Sequence, residues 1–274
     1  MPTTQLANFD PSEAVEVYIS SDGTHYGYQI FKSNGSIEIY ADGTLMGRDR
    51  TGLQLFAVTN VGDPVYSTPA QGQLALYRGG NKLTSAPRGF VVVRISGDGS
   101  HWLAYQRGDL GGLGSLVMDG TVLLPSTATF PQDQFVLLSE NGKHWSCYLQ
   151  EVGSGKLLIG GVTRSTSPAL QSPQITSSGH VAWVDNVDGS AHVDDRVSTF
   201  SSPASGVFIN DDASHLLVML RDGHGRHRPR STERETLGNT VAPQAAPLSE
   251  ERIGDSTAFR WGPHQSWCTA ALVL

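Results

Sequence analysis

Apolar and polar residues alternate over short runs, and most runs stop at a glycine-containing turn. The first clear unit is Tyr18-Ile19-Ser20-Ser21-Asp22-Gly23-Thr24-His25-Tyr26-Gly27-Tyr28. Asp-Gly and Asn-Gly dipeptides reach the positive φ values of tight type I′ turns, so such a unit predicts two antiparallel strands joined as a hairpin. No long segment shows the 3.6-residue apolar period of an amphipathic helix.

The unit repeats. It returns as Arg94-Ile95-Ser96-Gly97-Asp98-Gly99-Ser100-His101-Trp102, and again as Leu137-Leu138-Ser139-Glu140-Asn141-Gly142-Lys143-His144-Trp145. Weaker copies stand at Gln174–His180 and Phe208–His215, and a degenerate one at Val58–Tyr66. A last copy, Phe259–Trp267, aligns on its tryptophan with Trp102. With His25, Val65, His101, His144, His180, His215 and Ser266 as markers, the spacings are 40, 36, 43, 36, 35 and 51. A period near forty residues is that of a four-stranded propeller blade. Second turns follow about twenty residues after the first, at Asp42-Gly43, Gly79-Gly80, Asp119-Gly120, Gly160-Gly161 and Asp194-Asp195. Two hairpins per period make strands A–B and C–D of one blade.

The expected fold is therefore all-β: a single β-propeller over residues 1–274 with four-stranded antiparallel blades. Seven blades are expected, with six as the alternative, and the N- and C-terminal segments close the ring. The repeats run near 15–55, 56–90, 91–133, 134–171, 172–205 and 206–257, with 258–274 joined by 1–14. Ile19, Thr59, Ile95, Leu138, Ile175 and Ile209 form one column expected to pack blade against blade. The next column, Ser20, Asn60, Ser96, Ser139, Thr176 and Asn210, is small and polar, suited to bonding the adjacent turn.

This Ser-x-Asp-Gly-x-His-aromatic pattern is WD-repeat-like and resembles the propeller repeats of TolB-type and prolyl-oligopeptidase-like proteins, over most of residues 15–274. The resemblance implies a fold rather than an activity, because the motif residues shape turns. The sequence has no hydrolase domain and no Gly-x-Ser-x-Gly nucleophile elbow, so peptidase activity is not implied.

Composition narrows the function classes. Charged residues are only 16% while Gly reaches 31, which suits tight turns and short strands. A net charge of −7 argues against nucleic acid or an anionic membrane as a general partner. No apolar window is long enough to span a bilayer, and the first ten residues carry neither a basic nor an apolar leader region. Two cysteines, Cys147 and Cys268, make no disulfide framework. A monomeric, cytoplasmic protein without cofactor or metal is expected.

In propeller topology the A–B and C–D turns share one end of the blades, and the B–C and D–A connections share the other. Binding residues concentrate in the less repetitive connections. The candidate ligand-binding residues are Arg48, Asp49, Arg88, Arg107, Asp109, Glu151, Asp185, Asp188, Arg221, Asp222 and His224. His25, His101, His144, His180 and His215 recur once per blade, which spreads them too widely for one zinc ion and favours packing. The only basic cluster, Arg221–Arg230, lacks the interleaved aromatics of a single-strand nucleic-acid site. Asp185/Asp188 and Asp194/Asp195 are explained by turn formation. The leading expectation is a binding or scaffolding propeller for a protein or polar small molecule. The alternative is a small-molecule enzyme (cyclase, lyase or hydrolase) with a pocket at the channel mouth and no assigned catalytic residue.

Overall fold

A computed structural model of the chain describes residues 13–108, 114–127, 135–151, 154–221 and 227–233; side chains at 126–127, 150–151 and 227–233 fall outside that description. Every regular element is a strand, so no helix among the described residues can cross a membrane.

The strands form six antiparallel sheets, each following chain order. Blade 1 holds β1 (Ala14–Ile19), β2 (Tyr26–Phe31), β3 (Ile37–Ala41) and β4 (Thr44–Asp49); blade 2 holds β5 (Gln54–Val58), β6 (Pro64–Ala70), β7 (Gln73–Arg78) and β8 (Asn81–Ala86). Blade 3 comprises β9 (Phe90–Ile95), β10 (Trp102–Arg107), β11 (Gly114–Met118) and β12 (Thr121–Thr127). Blade 4 comprises β13 (Val136–Leu138), β14 (Trp145–Glu151), β15 (Ser154–Ile159) and β16 (Val162–Ser165). Blade 5 runs through β17 (Leu170–Ile175), β18 (Val181–Asp185), β19 (Ala191–Val193) and β20 (Arg196–Ser198); blade 6 has β21 (Ala204–Ile209), β22 (His215–Arg221) and β23 (His227–Glu233). Six is the smaller of the two expected blade counts. The copy at 258–274, its complement in residues 1–12 and Cys268 lie outside the described residues.

Five apolar clusters fill the five seams between successive blades. Alternation along one strand feeds two seams at once. In blade 3, Val93, Trp102, Ala104 and Val117 pack with Phe56, Val65 and Leu76 of blade 2. Their neighbours Val92, Leu103, Tyr105 and Leu116 pack with Val136, Trp145, Cys147 and Leu149 of blade 4. The first strands of successive blades touch one another, which makes them the innermost layer.

The two kinds of turn differ. At Asp42-Gly43, Asp119-Gly120 and Gly160-Gly161 both residues have positive φ, as expected of two-residue type I′ hairpins. The A–B turns are longer. In Ser20–Gly23 the Gly23 N–H donates to Ser20 O at 2.9 Å, and of Asp22 and Gly23 only Gly23 (φ 71) is left-handed. The Asp-Gly pair expected to form a type I′ turn there instead ends a four-residue turn with a left-handed glycine, as in longer hairpin loops.

The polar column behaves as expected in five blades: Ser20, Ser96, Ser139, Thr176 and Asn210 each accept the backbone N–H of their repeat's histidine. In blade 2 the register is shifted, by one residue at Asn60 and by two at Val65. Thr59 Oγ1 accepts from Asp63 N at 3.0 Å, so Thr59 and Asp63 take the places expected of Asn60 and Val65. Ile95, Leu138, Ile175 and Ile209 pack toward the preceding blade as expected, and Ile19, 54% exposed, stands on the same face at the start of the column, where the segments expected to meet it lie outside the described residues.

Hydrogen bonds from the Thr24 N–H and the Ser20 and Thr24 hydroxyls hold Asp22 down to about 2. Asp98 is likewise held at about 2 by the Ser100 N–H and the Ser96 and Ser100 hydroxyls. Because both values fall below the ordinary 3.8, this stabilisation is complete above the unfolded value and is lost as pH falls through about 2. An Asp22→Asn/Asp98→Asn variant should therefore lose less stability than wild type between about pH 4 and pH 2. Near-UV circular dichroism during acid titration checks this, and parallel curves would refute it.

Candidate functional site

At the A–B/C–D end three of the five repeated histidines, His25, His101 and His180, are latches. Asp42 accepts the Tyr26 N–H at 3.0 Å through Oδ1, and its Oδ2 lies 2.7 Å from His25 Nδ1. Asp119 does the same for Trp102 N and His101, and Asp194 for Val181 N and His180. Each latch ties the A–B turn to the C–D turn of its own blade. Blade 4 has Gly160-Gly161 in place of the aspartate, and His144 packs instead on Gly179 of blade 5. Blade 2 substitutes Asp63 and Arg78, 3.5 Å apart. Replacing Asp119 by alanine should cost about 1–3 kcal/mol, since it strips His101 and the Trp102 N–H of their acceptor. Urea unfolding checks this, and an unchanged midpoint would remove the latch role.

The same end is fastened between blades. Asn60 Oδ1 accepts from Ser21 Oγ and Asp22 N of blade 1 at 2.8 and 3.1 Å. Asn60 N donates to Gly97 O at 2.7 Å, and Gly97 N donates to Glu140 O at 2.8 Å. The Glu140 carboxylate then reaches back to Asn60 Nδ2 at 3.0 Å and to the Ser21 hydroxyl, gathering the A–B turns of blades 1 to 4. Asn141 Nδ2 continues to Ser177 O, and Ser177 N to Asp211, linking blades 5 and 6. The acids here are engaged in turn and latch bonds.

The other end carries the candidate binding residues. Arg48 and Asp49 close β4, Arg107 closes β10, Asp185 closes β18 and Arg221 closes β22; Arg88 and Asp188 lie in the following connections. All seven therefore stand at the B–C/D–A end of their blades. Glu151 closes β14 there too, with its side chain outside the described part, as are Asp109, Asp222 and His224 altogether. A recurrent bond fixes these connections: Arg107 N donates to Gly89 O, Asn186 N to Ala169 O, and Arg221 N to Pro203 O, at 2.8–2.9 Å.

Several of these residues have structural partners. Arg48 pairs with Glu38, which is 3% exposed. Burial alone would raise the Glu38 carboxyl. Hydrogen bonds from Tyr40 and Arg48, with the nearby Lys32 charge, outweigh it and hold Glu38 below the usual range. Asp185 accepts from Ser167 Oγ and Val187 N, both at 2.8 Å. Asp188 accepts from Ser190 N and Oγ, which lowers its pKa.

Sequence reasoning missed Ser190 and His192. Asp188, Ser190 and His192 alternate along one short hairpin, and Ser190 Oγ lies 2.6 Å from Asp188 Oδ1 and 2.8 Å from His192 Nε2. The order differs from that of a nucleophilic triad. The carboxylate accepts the hydrogen bond from the serine O–H, so His192 donates through Nε2, and the serine is oriented rather than activated. His192 stacks on Trp183 at 4.8 Å and 10°, and burial lowers its pKa. An Asp-x-Ser-x-His pattern beside a B–C turn was the available signal. Burial pushes the Cys147 thiol up to about 12, far from a thiolate nucleophile. Among the described residues no three His, Cys, Asp or Glu side chains gather to hold a metal.

No family model and no curated protein matches the sequence. Similar solved structures include a chain of the mitotic checkpoint complex, 11% identical over 78% of this chain and 75% of that one, with a TM-score of 0.44. Prolyl oligopeptidase B from Galerina marginata is 12% identical over 82% of this chain and 41% of its own, with a TM-score of 0.48. The Dos1 propeller is 10% identical over 74% of each chain, with a TM-score of 0.39. With repeated four-stranded antiparallel blades, packed seam to seam and latched turn to turn, the chain is a β-propeller protein.

Proposed function

We propose that the chain is a binding or scaffolding propeller that recognises a protein or polar small molecule with its B–C/D–A end. One contrast carries this reading. At the A–B/C–D end the acidic side chains are engaged in latches and inter-blade bonds, and the exposed cations Lys82, Lys143 and Arg196 stand one to a blade. At the other end Arg50, Arg88, Arg107 and Arg221 are exposed, and none has an acidic partner among the described residues. Guanidinium groups left in water on a rigid frame are available for carboxylates, phosphates or carbonyls. The contact set is Arg48, Asp49, Arg88, Arg107, Asp185, Asp188 and Arg221, extended along the chain by Asp109, Glu151, Asp222 and His224.

The test is capture of metabolites and proteins on immobilised protein, comparing wild type with an Arg48→Ala/Arg107→Ala/Arg221→Ala variant. Arg196→Ala, at the opposite end of blade 5, is the control. A ligand held by wild type and control but lost by the triple variant supports the reading. Unchanged capture by the triple variant would sink it.

A further inference from the structure

Three of the exposed arginines stand on, or next to, backbone segments that the structure brings together. Arg88 precedes Gly89, whose carbonyl accepts the Arg107 N–H at 2.9 Å, so the blade 2–3 connection and the end of β10 lie side by side. Leu74 joins this patch to the preceding connection. A Cβ on Gly89 would stand 2.4 Å from Leu74 Cδ1, and one on Gly52 would stand 2.5 Å from Leu74 Cδ2. The connections carrying Arg50 and Arg88 are thus held one leucine side chain apart, against the two methyls of a single residue. Gly52 and Gly89 both have positive φ (75 and 81), and each leaves room for that leucine. The contact holds together the two connections from which Arg50 and Arg88 project.

The charge of the patch is uncompensated among the described residues. Asp49 is the nearest acid in sequence, and its Oδ1 accepts the backbone N–H groups of Arg50 and Thr51 at 2.6 and 3.3 Å. Glu38 is occupied by Arg48 and Lys32. Arg50, Arg88 and Arg107 are all exposed. Like charges stand on adjoining segments with neither burial nor an acidic partner among the described residues to explain them, an arrangement suited to a ligand with several negative groups.

We propose that Arg50, Arg88 and Arg107 dock an acidic polypeptide segment, a short run of Asp and Glu carboxylates on a partner protein. The inference rests on the binding reading above and gives its partner a chemical class. Arginines on two adjacent connections fit an extended chain with a carboxylate every few ångströms, and each guanidinium can take one carboxylate bidentately. A short acidic segment also suits the chain's net charge of −7 better than a long polyanion, because repulsion from the rest of the surface grows with ligand length.

Fluorescence anisotropy with a labelled twelve-residue Asp/Glu peptide, at about 50 and about 200 mM salt, tests this. Binding should weaken as salt rises. It should fall about tenfold or more in Arg50→Ala/Arg88→Ala/Arg107→Ala and survive in Arg196→Ala. The conservative triple lysine variant should recover part of the affinity, since charge remains while the bidentate geometry is lost. Equal binding by wild type and the alanine variant overturns the proposal. So does a labelled oligothymidylate that binds wild type more tightly than the peptide, which would make the patch a nucleic-acid surface. If the peptide fails while captured ligands still depend on Arg48, Arg107 and Arg221, the acidic class is wrong and the binding end stands. If both fail, the binding end falls with it.

Discussion

Alanine at Gly142 is expected to lower stability by about 2–5 kcal/mol, a substantial share of the about 5–15 kcal/mol that an ordinary domain holds in reserve. Two costs combine. Gly142 has φ +70, a conformation that costs an L-residue about 1–2 kcal/mol. A Cβ there would also stand 2.4 Å from His101 Cβ and 2.5 Å from its Cδ2, close to the backbone of the neighbouring blade. His101 cannot swing aside without breaking its bond to Asp119, so overpacking should add about 1–3 kcal/mol. Gly120 provides the control: its φ is +82 and nothing lies within 4 Å of its would-be Cβ. Gly120→Ala should therefore show the backbone cost alone. Equal losses for the two variants in urea unfolding would refute the steric half of the account.

Leu103→Ala should cost about 2–5 kcal/mol by a different route. Leu103 is fully buried in the blade 3–4 seam, between Tyr105, Leu116, Val136 and Trp145. Truncation leaves a void that strands paired on both sides can only partly close. Leu103→Met, which nearly conserves volume, should cost less than about 1.5 kcal/mol. Because Gly142 and Leu103 act on the same seam, the double variant should depart from additivity, whereas Leu103→Ala with Gly120→Ala should be closer to additive. A purely additive Gly142/Leu103 cycle would mean that the seam does not respond as one unit.

Much of the architecture was legible because turn chemistry is local. Asp42-Gly43 and Asp119-Gly120 form the turns their dipeptides predict, and the Ser20 column bonds its turns because its partners lie within five residues. Errors arose where the local signal was degenerate. Val58–Tyr66 has no histidine to mark its register, and the turn from Thr59 to Asp63 is one residue shorter than that from Ser20 to His25. Ile19 lies on the face that its column mates turn toward the preceding blade, and the segments expected to cover it lie outside the described residues. The candidate site was legible as an end of the molecule, since chain order alone assigns Arg48, Arg107 and Arg221 to the B–C/D–A side. Which arginines are engaged was not. Arg48 meets Glu38 through strand register, and Gly52 and Gly89 are linked through Leu74 of another strand, contacts that no sequence window contains.

The fastening of the A–B turns by Asn60, Gly97 and Glu140 also bears on where this protein can change length. A residue inserted into any of those turns disturbs bonds to two neighbouring blades at once. A residue inserted at Arg88 lengthens a connection whose outer side faces solvent. Diversification by insertion, in nature or in the laboratory, is therefore directed to one end, and new recognition loops can be grafted there while the opposite end keeps the blades in register.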